Sequence, residues 1–161
     1  MISCLWPSKT EITAPGPDSP TTLMQPAGAR LYYDPMPIVG HGIDIVSVVR
    51  IEESVVKHGE RFLERCFTEG ERAYADDRKR RFEHLAGRFA AKEAVLKAFG
   101  TGWRTGIAWT DVEVVLEPSG RPRIELHNRA AEIAKELGIE TVHISISHTD
   151  ELATASAIAE S

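Results

Sequence analysis

The sequence of 161 residues is poor in cysteine, in long apolar runs and in net positive charge. It has two cysteines, Cys4 and Cys66, and no CxxC pair or Cys/His cluster, which is typical of a reduced cytosolic protein without a zinc site. No apolar run approaches the ~20 residues of a membrane span, and no basic stretch followed by an apolar stretch marks a signal peptide. The net charge of −5 argues against nonspecific nucleic-acid binding. We therefore expect a cytoplasmic protein that binds neither membranes nor nucleic acid.

Proline is concentrated at the N-terminal end of the chain. Residues 1–36 show no hydrophobic period, and their prolines exclude a helix or a central strand over APGPDSPTT. We predict that residues 1–36 are a disordered, Pro-rich extension and that residues 37–161 form one domain. Met36 lies where the globular pattern begins and is a candidate start of translation. A domain of this size buries only a modest core, and self-association would bury more apolar surface.

Strand-like and helix-like patterns follow one another in mixed order from residue 38 onward, which predicts the α+β class. Helix starts are marked by Ser47 as an N-cap, by a capping box between Thr68 and Glu71, and by Asn128 as a further cap. The predicted elements are a strand over 38–46, helices over 48–58, 60–66, 69–77 and 82–99, a strand over 112–116 and its return over 123–127, a helix from Asn128 to Gly138, and closing strands over 140–147 and 152–159.

The long helix over 82–99 carries an acidic residue beside its apolar face. At 100° per residue, one face collects a stripe that we expect in the core, made of Phe82, Leu85, Ala86, Phe89 and Leu96. Glu93 falls within this stripe, and a buried carboxylate must be paired, protonated or bound to a metal. The alternative is a structural ion pair between Glu93 and Lys97, four residues later.

Asp44 is a second acidic residue in an apolar setting, between Ile43 and Ile45. Gly40 and Gly42 precede it and permit the close approach of another backbone or a ligand. The alternative is that Asp44 ends the strand and caps the following helix. Together, Asp44 and Glu93 suit Mg²⁺, which takes one or two carboxylates and fills its other positions with water and phosphate.

Two further residues are candidates for binding phosphate or a nucleotide. His148 lies where a predicted strand gives way to a turn, a common place for site residues, although a solvated turn histidine is the simpler interpretation. Arg88 lies on the long helix and is either an exposed surface residue or a phosphate contact. The basic run Arg78–Arg81 has the same two interpretations.

Three separate motifs resemble those of the bacterial holo-acyl-carrier-protein synthases, within the 4′-phosphopantetheinyl transferase superfamily. The resemblance covers residues 38 to 160 and omits the N-terminal extension. The motifs, in the family's order, are Gly40-His41-Gly42-Ile43-Asp44, then Leu85-Ala86-Gly87-Arg88-Phe89-Ala90-Ala91-Lys92-Glu93-Ala94 with Lys97 and Gly100-Thr101-Gly102, and finally Ser145-Ile146-Ser147-His148-Thr149.

The resemblance implies a fold and a reaction. It implies a small α+β domain, with an antiparallel sheet packed on a long central helix, that assembles into a homotrimer with active sites at the subunit interfaces. The implied reaction transfers 4′-phosphopantetheine from coenzyme A to a serine of apo-acyl carrier protein, with Mg²⁺, in fatty acid biosynthesis. The other product is adenosine 3′,5′-bisphosphate.

The resemblance also implies roles for the candidate residues. Asp44 and Glu93 would hold Mg²⁺, and Lys97 would stabilise or protonate the departing phosphate. The general base stays open between Glu93 and a water on the metal. Arg88 and His148 would contact coenzyme A, and Arg50 would contact the carrier protein.

Two other functions stay open for this sequence. A Mg²⁺-dependent hydrolase of nucleotides or pyrophosphates would need the same two carboxylates and a water nucleophile. A binding module would dock on acyl carrier protein without catalysis.

Overall fold

The computed structural model describes residues 37–102 and 106–161, which contain five α-helices and five strands. A short 3₁₀ helix, Trp109–Asp111, precedes the second strand. The elements are β1 (Ile38–Ser47), α1 (Val48–His58), α2 (Glu60–Cys66), α3 (Glu69–Asp76), α4 (Arg81–Ala98), β2 (Val112–Leu116), β3 (Pro122–Leu126), α5 (Asn128–Glu136), β4 (Thr141–His148) and β5 (Leu152–Glu160).

The predicted α+β class is confirmed, and each predicted element is present within about two residues of its expected bounds. Ser47 caps α1 by accepting a hydrogen bond from the Arg50 backbone N–H at 3.4 Å. The capping box between Thr68 and Glu71 is also present. The predicted extension over residues 1–36 lies outside the described residues.

The prediction that Asn128 caps α5 is wrong. Asn128 is the first residue of the helix, with a φ of 42°, and the residue at the cap position is His127. The Asn128 amide instead donates a hydrogen bond to Asp111 Oδ1 at 3.0 Å. Its side chain therefore links α5 to the 3₁₀ helix and is not available as a cap.

The main sheet has three antiparallel strands in the order β1-β5-β4, and β2 and β3 form a separate hairpin. Strand alternation gives β5 one buried face, made of Ala153, Ala155, Ala157 and Ala159. Helix α4 packs on this face and also contacts α1, α3 and β2, so most of its surface is buried. No helix within residues 37–102 and 106–161 is long and apolar enough to cross a membrane.

Helix α4 lies unusually close to β1. A Cβ added at Gly40 would stand 1.9 Å from the Ala98 carbonyl oxygen, and one at Gly42 would stand 2.0 Å from that of Ala94. Any side chain larger than hydrogen would therefore push the strand off the helix. The two glycines bring Asp44, two residues after Gly42, against α4.

The other face of the main sheet is exposed in the single chain. Ile43 and Ile45 point to this face and are 60% and 64% exposed. They pair with Ser156 and Thr154 of β5, which point to the same face. β1 thus presents its isoleucines on one side of the sheet and Asp44 on the other.

Candidate active site

Asp44 lies within β1 and faces α4. Lys97 of α4 donates from its Nζ to Asp44 Oδ1 at 2.8 Å and to the Ile43 carbonyl at 2.9 Å. The alternative that Asp44 caps α1 is wrong, because it lies mid-strand and Ser47 makes the cap. The Asp44 carboxylate is therefore available for a site between β1 and α4.

Glu93 of α4 lines the same cleft as Asp44. This cleft has a volume of about 340 Å³. Burial raises the pKa of Glu93, the negative charge of Asp44 raises it further, and Lys97 opposes both effects. The lining residues are Asp44, Ile45, Val46, Arg50, Ile51, Ser54, Phe62, Phe89 and Glu93.

The alternative interpretation of Glu93, a structural ion pair with Lys97, is not found within residues 37–102 and 106–161. The ion pair of Lys97 joins it to Asp44 instead, with the lysine side chain about half exposed at 49%. Glu93 is only partly buried, and its carboxylate is left facing the cleft. Two like-charged carboxylates in one partly enclosed cleft, with room for water or phosphate, are a donor set that fits Mg²⁺.

Arg88 is buried, with 6% of its surface exposed, so its interpretation as an exposed surface residue is wrong. Its guanidinium lies 4.0 Å from the centre of the Tyr74 ring, and Nη1 donates a long hydrogen bond of 3.4 Å to the His84 carbonyl. Burial lowers its pKa. Its Nε is buried and has no hydrogen-bond partner among the described residues.

His148 ends β4 and contacts Glu83 of α4. The distance from His148 Nδ1 to Glu83 Oε2 is 3.0 Å, and its ring meets the edge of the His84 ring at 5.7 Å between centres. His148 also lines an open hollow of about 500 Å³ with Arg80. His148 is exposed, as the simpler interpretation expects, but it ends a strand and has a partner in Glu83.

The basic run predicted over Arg78–Arg81 is divided among partners. Arg80 pairs with Glu83 at 3.3 Å and with Asp150 at 2.8 Å, while Arg81 pairs with Asp76. Glu83, which contacts His148, is ten residues from Glu93 on α4, or about 15 Å along the helix. Asp44, Glu93 and Lys97 thus lie together, Arg88 lies about 7.5 Å along α4 from Glu93, and His148 of β4 lies beside Glu83, further toward the start of the helix.

A buried ion pair on another face of α4, about 100° around the axis from Glu93, was not predicted. Lys92 Nζ lies 2.8 Å from Glu71 Oε2, and both side chains are fully buried. The sequence does contain a signal, because Lys92 follows Leu85 by seven residues and Phe89 by three. It therefore lies at the edge of the apolar stripe that contains Glu93.

A separate set of possible metal ligands lies on the β2–β3 hairpin and does not include Asp44 or Glu93. The set is Glu113, Glu125 and His127, whose ligand atoms lie within 4.8 Å of one another. Protein partners account for it, because Glu113 bonds His127 at 2.9 Å and Thr68 at 2.6 Å, and Glu125 pairs with Arg123. Asp44 and Glu93 therefore stay the candidate ligands for Mg²⁺.

Comparison with known proteins agrees with the fold and the motifs. The family model of the 4′-phosphopantetheinyl transferase superfamily matches residues 40–156, well over half of the chain. The chain belongs to this superfamily. The predicted family resemblance is therefore confirmed.

The match extends over nearly the whole length of individual members of the superfamily. The holo-[acyl-carrier-protein] synthase of Koribacter versatilis is 49% identical over 123 residues, which are 76% of this chain and 98% of the relative. The crystal structure of the Neisseria meningitidis synthase superimposes with a TM-score of 0.72 at 33% identity, covering 78% of this chain and all of that one. The Bacillus anthracis synthase, solved in complex with CoA (3′,5′-ADP), superimposes with a TM-score of 0.64 at 40% identity. The superposition covers 77% of this chain and 97% of that one.

Proposed function

We propose that this protein is a holo-acyl-carrier-protein synthase. It transfers 4′-phosphopantetheine from coenzyme A to a serine of apo-acyl carrier protein and releases adenosine 3′,5′-bisphosphate. One observation carries the proposal: Asp44 and Glu93 line a single cleft beside Lys97, in a chain that matches synthases of this activity over nearly their full length. Its predicted location is the cytoplasm, and its predicted pathway is fatty acid biosynthesis.

Asp44 and Glu93 would hold Mg²⁺ in this cleft. When bound, the ion supplies Lewis-acid neutralisation of charge on the pyrophosphate of coenzyme A. The raised pKa of Glu93 supports this role, because two neighbouring carboxylates are more readily ionised together when a cation lies between them.

Lys97 would neutralise negative charge on the departing phosphate. Its Nζ already lies 2.8 Å from Asp44 Oδ1, and its half-exposed side chain is free to turn toward a phosphate. Glu93 would accept the proton of the carrier serine, or orient a water that does so. The remaining catalysis is positioning, as expected for phosphoryl transfer.

Arg88 and His148 would bind the phosphates of coenzyme A. The buried guanidinium of Arg88 keeps an unused donor, and His148 is held by Glu83 at the edge of an open hollow. An anionic ligand would satisfy the free Nε of Arg88, since a buried unpaired donor is costly.

The carrier protein would dock on α1 and α2. Arg50 lines the cleft that contains Glu93, and Arg61 and Arg65 line an adjoining hollow with His58 and Phe62. Phe62 belongs to both hollows, so the basic surface runs up to the proposed reaction site. Acyl carrier proteins are acidic, and a local basic surface guides such a partner even on an acidic chain.

The homotrimer and its interfacial active sites are part of the proposal. The exposed isoleucines of the main sheet, Ile43 and Ile45, support a second copy as the element that covers this face. The spread of the site residues along α4, about 7.5 Å from Glu93 to Arg88 and about 15 Å to Glu83 beside His148, also suits a site completed by residues of a neighbouring subunit.

The test is the mass of the carrier protein after incubation with this protein, coenzyme A and Mg²⁺. A gain of about 340 Da, the mass of the phosphopantetheine group, supports the transfer. Adenosine bisphosphate released without carrier modification would favour the hydrolase instead. A stable complex with the carrier and no turnover would favour the binding module.

A further inference from the structure

The buried pair formed by Lys92 and Glu71 joins three elements beneath the proposed site. Besides its contact with Glu71 Oε2 at 2.8 Å, Lys92 Nζ donates to the carbonyls of Trp109 and Val112. Glu71 accepts the backbone N–H groups of two residues at 2.9 Å each, Thr68 through Oε2 and Val114 through Oε1. Every donor of the ammonium and both oxygens of the carboxylate are therefore used, and α4 is tied to α3 and β2.

Stability alone is a poor reason for such a pair. Removing two charges from water costs free energy that their attraction only partly offsets, and apolar residues of similar volume are often at least as stabilising. Directional hydrogen bonds, in contrast, fix one orientation of a helix. The pair is therefore better suited to orienting α4 than to strengthening the core.

The contact between α4 and β1 orients the helix weakly. Helix packing is directional when large side chains form ridges that fit into grooves. Where α4 meets β1, Gly40 lies against Ala98 and Gly42 against Ala94. The large buried side chains Leu85, Val95 and Leu96 are not part of this close approach. The alanines of α4 that are at most 5% exposed are Ala86, Ala90, Ala91, Ala94 and Ala98.

A small rotation of α4 would matter at the site. Glu93 follows Lys92 directly and points about 100° away from it around the helix axis. With side chains reaching about 5–6 Å from the axis, a rotation of about 10° moves a carboxylate by roughly 1 Å. Such a displacement is large for metal ligands, whose bond lengths vary by only about 0.2 Å.

We propose that Lys92, held by Glu71, is a positioning residue that sets the rotation of α4 and so directs the Glu93 carboxylate toward Asp44. This inference rests on the proposed function, because it assigns Glu93 to a metal site. It adds contacts on the face of α4 that lies about 100° around the helix axis from Glu93.

The test compares metal binding in variants of the full chain. The double variant Glu71→Leu/Lys92→Met replaces the pair with apolar side chains of similar size. We expect its dissociation constant for Mn²⁺, used as a probe of the Mg²⁺ site and measured by electron paramagnetic resonance, to rise at least tenfold. We expect phosphopantetheine transfer to fall by a similar or larger factor.

Leu85→Ala is the matched control. Leu85 is fully buried on α4, so its truncation loosens the core without removing the ion pair. At an equal loss of unfolding temperature, this variant should bind Mn²⁺ as the unmodified protein does. A weakened site in the control would mean that any loss of stability has the same effect, and would overturn the proposal.

Glu71→Asp decides the question if the double variant fails to fold. It keeps both charges but shortens the carboxylate by one methylene, so it cannot reach Lys92 and Val114 together. We expect a threefold to tenfold weaker site. A folded variant with unchanged Mn²⁺ affinity would refute the positioning role, whereas an unmodified protein that binds no Mn²⁺ would refute the proposed function itself.

Discussion

The close contact between β1 and α4 makes Gly42 a sensitive position, and we predict that Gly42→Ala impairs both folding and transfer. The added methyl group would stand 2.0 Å from the Ala94 carbonyl oxygen and 2.7 Å from the Ala98 nitrogen. Both atoms belong to the helix backbone, so no side-chain rotation can relieve the contact.

The structure gives the size of the effect. A carbon and an oxygen in close contact lie about 3.3 Å apart, so strand and helix must separate by roughly 1.3 Å. Overpacking of this kind costs about 1–3 kcal/mol. Since 1 kcal/mol corresponds to about 4 °C for a domain of this size, the unfolding temperature should fall by about 4–12 °C.

The same shift carries Asp44 away from Glu93. A misplacement of about 1 Å can reduce a rate by about 10²-fold, and we expect a loss of that order in carrier-protein modification. The assay is single-turnover transfer followed by mass spectrometry, beside thermal unfolding by circular dichroism. Both are measured at a temperature where the variant is fully folded.

Gly87→Ala provides the control for adding a methyl group to a glycine. Its added Cβ would stand 3.1 Å from a methyl group of Ile146, a side chain that can move, and alanine favours a helix by about 1 kcal/mol over glycine. Its stability and activity should stay near those of the unmodified protein. A Gly42→Ala variant that matched this control in both measurements would refute the argument that the glycines position Asp44.

Four further predictions follow from individual side chains. Asp44→Ala and Glu93→Ala should each reduce transfer by at least about 10³-fold with little change in unfolding temperature, and near-normal turnover in either would contradict the metal assignment. Lys97→Met should lower the rate of the chemical step by about 10²-fold without weakening Mn²⁺ binding, because it removes a competitor for Asp44; a weaker site would assign Lys97 to the metal environment. Burial raises the pKa of Cys66 to about 11, so iodoacetamide at pH 8 should label Cys66 only after unfolding, as peptide mass spectrometry can determine. Burial, with the positive charge of Arg88, lowers the pKa of His84, so its imidazole should titrate below pH 6.5 by NMR. The stabilising contribution of the neutral imidazole should be lost as the pH falls through that folded-state pKa.

Local patterns were sufficient to predict most elements of the fold. The N-cap at Ser47, the capping box at Thr68 and the strand-like pattern over 38–46 are features of neighbouring residues, and the structure has the corresponding helices and strand. Asn128 is the exception among the caps. Its amide finds Asp111 in another element, and such a long-range hydrogen bond cannot be seen in a local pattern.

Asp44 is unusual in the sequence because it lies between two apolar residues, Ile43 and Ile45. The structure shows that these isoleucines do not surround its carboxylate. In a strand, adjacent side chains point to opposite faces, and both isoleucines are exposed on the far side of the sheet. What encloses Asp44 is α4, and that contact depends on Gly42, which the sequence flagged only as permitting a close approach.

The helical pattern places Lys92 at the edge of the apolar stripe that contains Glu93. Lys92 lies about 20° beyond Leu85 around the helix axis, whereas Glu93 falls between Phe82 and Ala86. Lys92 is nevertheless fully buried and Glu93 only partly buried, because α3 and β2 cover the edge of the stripe at Lys92. Its partner Glu71 was assigned to the capping box alone, because helix propensity and period say nothing about a partner on another helix.

Small residues and a buried ion pair have complementary effects on this helix. Glycine and alanine let β1 and β5 approach α4 closely, which brings Asp44 and Glu93 to one cleft, but smooth surfaces resist rotation poorly. A larger apolar residue in place of Gly42 would orient the helix better and would also separate the carboxylates. A directional contact on another face of α4, where Lys92 meets Glu71, restrains rotation without widening the gap between α4 and β1 at the site. The positions of the glycines and of the ion pair are therefore expected to be interdependent, and combining Gly42→Ala with the loss of the ion pair should affect metal binding by less than the product of the separate effects.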